Sequence, residues 1–318
     1  MLAVITMSFS ALLAKQVFPD SRRLIFMKIM KLLLNLPKAL LSRKKTSAFF
    51  PFYHWEFDYH RLGAYVEGLP IPTEQALVSI ITRTYKGRDH LLKQALFSAA
   101  HQTWNNLELV VVEDGTETLG ELIQEVAQVT QRPIKYVINH ERGRSNAGNL
   151  GLSTATGDWC VFLDDDDLLY PEHVEILANA LLENPQAVAS YSPALEVSTK
   201  HANHEYQEMG HTLHPFLLKE FSYETLTSHN LMAIQSVLFK RQLFLDRGGF
   251  DTDVDYLEDW LLWLRYAFKN TFIFVPKVTS LFRVPADPQV WDKRKQSLDG
   301  ALESVVIKNQ QWIESQKG

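Results

Sequence analysis

Four consecutive aspartates, Asp164, Asp165, Asp166 and Asp167, follow directly on the apolar run Trp159-Cys-Val-Phe-Leu163. Carboxylates side by side repel one another, and a fold keeps such a group at a strand end mainly where a cation can sit among them. A divalent ion is the simplest such cation, because hard metals take carboxylate oxygens. A solvated acidic turn is the alternative reading of the run taken alone. Other groups of chemical interest stand in similar places. Tyr85 and Asp114 each close an apolar run, Arg144 lies in Gly143-Arg-Ser-Asn-Ala-Gly-Asn149, and the pair Glu258-Asp259 precedes Trp260. His201, His204, His211 and His214 fall in the polar stretch 196–215. The stretch has no apolar period and reads as a loop or mobile flap, and its histidines do not show the ligand spacing of a zinc site. The single cysteine, Cys160, sits inside an apolar run and reads as a core residue; no internal disulfide can form.

The elements that must position these groups follow from the hydrophobic pattern. Leu77–Thr82, Leu107–Val112, Ile134–Ile138 and Trp159–Leu163 are short runs rich in Val, Ile and Leu. They alternate with helical stretches near 89–101, 119–129 and 146–155. Strands alternating with helices of this length predict βαβ units and a mostly parallel sheet. In such open α/β sheets the ligand lies beyond the carboxyl ends of the strands. Tyr85, Asp114 and the aspartate cluster all follow strand ends, which places them on one rim. A helix after Pro171, strands near 187–190 and 233–239, an apolar helix opened by Glu258-Asp259-Trp260, and closing strands at 272–275 and 278–282 complete the pattern, with a charged helix from about Trp291.

Residues 1–74 differ in character. Eight Lys and Arg residues and no acidic one lie between 21 and 45, with Lys28, Lys31 and Lys38 at helical spacing on an otherwise apolar stretch. A basic amphipathic helix suits an anionic membrane surface, so peripheral membrane contact through 21–45 is an expectation. An aromatic stretch, 49–59, follows and reads as packing or lead-in. The net charge of −5 over 318 residues argues against a general nucleic-acid binder, and no run reaches the length of a spanning helix. Three parts are therefore expected: 1–74 as a basic and aromatic extension, 75–290 as the α/β domain, and 291–318 as a terminal helix.

Taken together, several motifs resemble the family 2 glycosyltransferases. They are Val78-Ser-Ile-Ile-Thr-Arg-Thr-Tyr85, Glu113-Asp-Gly-Thr116, Gly143 to Asn149, Gly157-Asp158, Asp164 to Asp167 with Pro171, Gly248-Gly-Phe-Asp251 and Glu258-Asp-Trp260. The resemblance spans roughly 77–283. It implies a GT-A fold, a nucleotide-binding α/β sandwich, and inverting transfer of a single sugar from a nucleotide donor, a UDP-sugar foremost, to a hydroxyl of a glycan or lipid-linked glycan. It also implies Mg²⁺ or Mn²⁺. On this resemblance Tyr85 flanks the base and Asp114 accepts a hydrogen bond from it. Asp166 is the direct metal ligand; Asp164 or Asp165 holds the ribose or the metal's waters, Asp164 also standing as a candidate ligand. Asp167 orients the following turn. Asp259 is the base that deprotonates the acceptor, with Glu258 and Trp260 positioning it or lining the acceptor pocket. Two positions depart from the family pattern. Arg83 stands where many relatives carry proline or threonine and could reach a phosphate. Gly148 stands where many carry arginine, a charge that Arg144 could supply.

Two other functions share parts of this pattern, a metal-dependent nucleotidyltransferase or phosphohydrolase and a non-catalytic sugar-nucleotide-binding or membrane scaffold. The Glu258-Asp259-Trp260 motif argues for an acceptor base and against the first, and the intact Asp114, aspartate cluster and Asp259 argue against the second. The expected location is cytoplasmic, at the inner face of the cell membrane if 21–45 binds lipid.

Overall fold

The computed structural model describes residues 75–316, apart from 203–204 and 255. The basic segment 21–45, the aromatic stretch 49–59 and the rest of 1–74 lie outside the described residues.

The first half is built from β1 (Val78–Tyr85), α1 (Asp89–Ala100), β2 (Leu107–Asp114), α2 (Gly120–Thr130), β3 (Ile134–Asn139), α3 (Arg144–Thr154) and β4 (Trp159–Phe162). Then come β5 (Leu168–Leu169), α4 (His173–Glu183), β6 (Ala189–Tyr191), β7 (Ala194–Ala202), β8 (Glu205–Thr212), α5 (Tyr223–Ser228), β9 (Val237–Lys240) and α6 (Gln242–Arg247). The chain closes with α7 (Glu258–Ala267), β10 (Phe272–Phe274), β11 (Ser280–Pro285) and α8 (Pro288–Ser315). Seven strands form the main sheet in the order β10-β6-β9-β4-β1-β2-β3. All neighbours are parallel except β9, which runs antiparallel to β4 and β6.

The parallel strands are near-continuous apolar runs because helices cover both faces. One face packs Ile81, Phe162, Tyr191 and Phe239 against Trp263 and Tyr266 of α7. The other packs Val78, Ile80 and Val161 against Ala95 and Ala99 of α1 and Leu177 of α4. Helix α3 lies close on the first face. A side chain at Gly151 would put its Cβ 2.4 Å from Ile81 Cγ2, so a residue without one is required there.

A second sheet, β5-β11-β7-β8, lies beyond the aspartate cluster in sequence. It corrects one expectation: 196–215 is not a loop but largely the hairpin β7–β8, followed by a 3₁₀ turn at Pro215–Leu218. Strand β8 is the sheet's edge and carries no buried face over 206–212, so it has no apolar alternation to read. Its pairing with β7 also breaks register at Ser198/Thr199. The last helix begins at Pro288, with the Asp287 carboxylate capping the N–H of Gln289 at 2.8 Å. No helix among the described residues is long and apolar enough to cross a membrane.

Candidate active site

Strand register brings the site together. In the parallel β1–β2–β3 ladder, Tyr85 lies opposite Asp114 and Asp114 opposite Asn139, so three side chains meet at the carboxyl rim. Between β1 and β4 the pairing of Ile81 with Phe162 fixes an offset of 81. The same offset, continued past the strand end, sets Arg83 beside Asp164 and Thr84 beside Asp165.

At one end of the rim, Tyr85 is 53% exposed, with the Arg88 guanidinium 5.3 Å from its ring centroid. Asp114 is held from two sides: Asn139 Nδ2 donates to Oδ1 at 2.8 Å and the Gly143 N–H to Oδ2 at 3.0 Å. Its neighbour Glu113 is fully buried. The carboxylate of Glu113 accepts from the Thr118 and Leu119 N–H groups and from the Thr118 and Tyr136 hydroxyls, which pins the loop after Asp114.

The four aspartates have four different environments. Asp164 accepts from Arg83 Nε at 2.9 Å and Nη2 at 3.0 Å, and also pairs with Arg144. Burial alone would raise its pKa, but the two guanidinium groups outweigh burial and hold it at about 2. Asp165 accepts from Thr84 Oγ1 at 2.7 Å and from Arg88 Nη2 at 2.7 Å; burial still pushes it up to about 6. Asp166 is the most open of the four, its side chain 32% exposed, and meets Arg88 Nη2 at 2.7 Å. Asp167 is buried and closes the turn. Its N–H donates to Asp164 O at 3.0 Å and its Oδ1 accepts the Arg283 N–H at 3.1 Å. Burial, with Asp166 and Asp164 close by, drives its pKa well upward.

The Glu258-Asp259 pair lies at the start of α7. Leu257, just before it, has φ 61°, a left-handed conformation that costs a non-glycine residue energy and re-aims the chain at Glu258-Asp259. Glu258 is 3% exposed and accepts from Arg83 Nη1 at 3.3 Å, and it pairs with Arg144 Nε at 3.0 Å. Arg83 and Arg144 thus each bridge Asp164 to Glu258. Asp259 is half-buried. Asn230 Nδ2 donates to its Oδ2 at 3.2 Å and the Trp260 N–H to its Oδ1 at 2.8 Å. Burial, then the adjacent Glu258, raise its pKa to about 6. Trp260, expected to position Asp259 or line the acceptor pocket, is buried, and its indole N–H donates to Leu226 O at 2.7 Å.

The two departures from the family pattern have one physical account. A Cβ at Gly148 would lie 2.5 Å from Phe250 Cε2, so the Phe250 ring occupies the space beside residue 148. That ring in turn lies 5.3 Å from the Arg83 guanidinium, which also faces Phe162 at 5.6 Å. The cation enters this region from β1 as Arg83 and from the start of α3 as Arg144, while position 148 is kept small. Residues not assigned from sequence also reach the cluster. Arg88 binds Asp165 and Asp166, Arg283 from the second sheet donates Nη1 to Asp166 O at 2.6 Å, and Asn230 meets Asp259. Arg88, three residues past Tyr85 at the head of α1, carried a positional signal; Arg283 and Asn230 come from distant segments and carried none.

Among the described residues no three His, Cys, Asp or Glu side chains form a metal cage by themselves. Magnesium-type ions that work on phosphates use one or two carboxylates and draw their other ligands from phosphate and water. An open Asp166 beside a buried, arginine-paired Asp164 fits that donor set.

A carboxyl-rim site on a mostly parallel sheet, with a pinned aspartate, a carboxylate cluster and a carboxylate at a helix start, is the arrangement of a GT-A fold. The glycosyl transferase family 2 profile matches residues 79–244. The chain is 32% identical over 233 residues, 70% of its length and 81% of the relative's, to the uncharacterized glycosyltransferase YwdF of Bacillus subtilis. An uncharacterized glycosyltransferase of Haemophilus influenzae is 28% identical over 198 residues, 62% of this chain and 64% of that one. The chain belongs to glycosyl transferase family 2. It spans 64–65% of the length of the Haemophilus and Rickettsia typhi relatives. Among solved structures, the mannosyltransferase PcManGT of Pyrobaculum calidifontis, in complex with GDP-Man and Mn²⁺, superposes with a TM-score of 0.55 at 23% identity, covering 80% of this chain and 72% of that one. S. aureus TarS 1–349 in complex with UDP-GlcNAc gives 0.53 at 17%, covering 68% and 60%. These two support the fold.

Proposed function

We propose that this glycosyltransferase moves a single sugar, with inversion, from a nucleotide-sugar donor, a UDP-sugar foremost, to an acceptor hydroxyl on a glycan or lipid-linked glycan. The observation that carries this reading is the pair of arginine bridges. Arg83 and Arg144 tie Asp164, at the phosphate end, to Glu258, next to the candidate base Asp259. Donor and base are thereby held on one rigid frame, as an in-line displacement requires.

In this reading Tyr85 stacks on the base and Asp114 accepts its N–H, Asn139 and the Gly143 N–H fixing the carboxylate for that task. Asp166 would hold Mg²⁺ or Mn²⁺, with Asp164 and Asp165 placing ribose or metal-bound water. When bound, such an ion offsets the charge that develops on the leaving diphosphate. Arg144, its side chain half exposed, reaches the same negative charge from the α3 side. Asp259 takes the proton from the attacking hydroxyl as the new glycosidic bond forms. A carboxylate raised to about 6 is a stronger base than an ordinary aspartate and is still ionised at neutral pH. The loop holding Asn230 fixes its orientation.

The test is a screen of UDP-, GDP- and dTDP-sugars with Mn²⁺ and candidate acceptors, run on the wild type and on Asp259→Asn. Transfer should fall by at least about 10³-fold in the variant, while the dissociation constant of the preferred donor changes less than about threefold. Retained transfer would remove Asp259 from the role of base, and donor binding without turnover in the wild type would favour a non-catalytic protein.

A further inference from the structure

Arg88 has no role in the reaction as described above, yet it sits at the centre of the phosphate end. Its Nη2 lies 2.7 Å from Asp165 Oδ1 and 2.7 Å from Asp166 Oδ2, so one nitrogen, with its two N–H donors, serves both carboxylates. Its Nε adds contacts of 3.2 Å to both oxygens of Asp165. The guanidinium also lies over the Tyr85 ring, 5.3 Å from its centroid. Asp165 has a second, independent anchor in Thr84 Oγ1 at 2.7 Å. Asp166 is more open, and Arg88 is its salt-bridge partner. The two halves of the contact therefore differ: Arg88 is firmly seated on Asp165, whereas its hold on Asp166 is shared and solvent-accessible.

We propose that Arg88 is a resident counter-ion for the metal-binding carboxylate. It occupies Asp166 in the donor-free enzyme and must give up that partner when a divalent cation arrives. The inference rests on the assignment of Asp166 to the metal. A cation alone must displace Arg88 and leave the guanidinium with one carboxylate fewer. A cation that arrives with a diphosphate brings a replacement anion, because on the proposed reading the phosphates would lie between Tyr85 and Asp166. Arg88 spans that interval. Metal and nucleoside diphosphate then favour each other's binding, and the free enzyme binds metal weakly. Couplings of this kind are reciprocal and typically amount to 5–150-fold.

Binding of Mn²⁺ to the full chain is measured from the paramagnetic resonance of free Mn²⁺, first alone and then with UDP or GDP present, for wild type, Arg88→Gln, Arg88→Lys and Asp166→Asn. The proposal expects Arg88→Gln to bind Mn²⁺ alone on the order of tenfold more tightly than wild type, and to gain less from the nucleotide. Arg88→Lys, which keeps the charge, should stay near wild type. Arg88→Gln binding Mn²⁺ alone no more tightly than wild type, while its melting temperature is unchanged, overturns the proposal. So does a nucleotide effect as large as in the wild type. A folding defect in Arg88→Gln leaves Arg88→Lys as the arbiter: a nucleotide effect in Arg88→Lys below that of the wild type overturns the counter-ion role. Mn²⁺ binding that survives in Asp166→Asn sinks instead the assignment of Asp166, which separates the two failures.

Discussion

Asp259 carries a chemical demand and a structural cost together. Its pKa of about 6 in the fold compares with about 3.9 in an unfolded chain. The folded state therefore holds this proton more firmly. The stability given by the neutral carboxyl is full below about pH 4 and is lost as pH rises through about 6. The proposed role as base needs the opposite form, since only the ionised group can accept a proton. The rate of transfer should thus rise through about pH 6 and level off above it, as read from kcat against pH. Asp259→Asn, neutral at every pH, should melt several degrees above the wild type at pH 8, corresponding to at most about 3 kcal/mol, and close to it near pH 4. Equal melting temperatures at pH 8 would mean that Asp259 ionises without strain. The type and place of this residue could be read from the chain, as could Tyr85, Asp114 and the aspartates, because each ends a strand or opens a helix. Its elevated pKa could not, since that arises from burial, from Glu258 and from the packing of α7.

At the scale of elements, α3 meets the turn before α7 through a contact between Gly148 and Phe250. The added methyl of Gly148→Ala would fall 2.5 Å and 2.7 Å from two carbons of the Phe250 ring. The ring cannot withdraw freely, since Arg83 lies on it and Phe162 packs edge-on at 5.1 Å. Gly148→Ala should cost about 1–3 kcal/mol in denaturant unfolding. Combining it with Phe250→Leu should recover part of that cost relative to the sum of the single changes. Strict additivity would show that the two residues do not share this space. The βαβ half of the fold was legible because its strands are short, apolar and regularly spaced between helices. The β7–β8 hairpin was not: its outer strand buries little, and backbone pairing alone leaves no hydrophobic period. The 3₁₀ turn at Ile234–Ser236, at the head of the strand expected over 233–239, was hidden for a related reason, because Ile234, Gln235 and Ser236 are all buried and read as continuous strand.

At the scale of the whole molecule, the second sheet supplies part of the site. Arg283 of β11 donates to Asp166 O, offers its backbone N–H to Asp167, and reaches Gln94 Oε1 of α1 at 2.9 Å. It thus links β11, the aspartate turn and the helix that begins beside Tyr85. Arg283→Leu keeps the backbone contact and removes the other two. Donor binding in the presence of Mn²⁺ should weaken by about tenfold, near 1.4 kcal/mol, the scale of a charge-assisted hydrogen bond. Titration of a UDP- or GDP-sugar by calorimetry checks this, and unchanged affinity would make Arg283 a purely structural link. Such a contact between residues more than a hundred positions apart leaves no local mark in the chain.

Strand β9 has a consequence for how the protein is made. Trp159-Cys-Val-Phe162 pairs with β1 on one side as soon as it emerges, but its other side is closed only by Val237–Lys240. At 5–20 residues per second the ribosome needs roughly 4–16 s to supply that partner. During those seconds the nascent chain carries an apolar strand with an open backbone edge, the kind of surface that recruits other strands. Codon usage and chaperone supply across 163–236 therefore bear on the yield of native enzyme more than they do over the β1–β4 half.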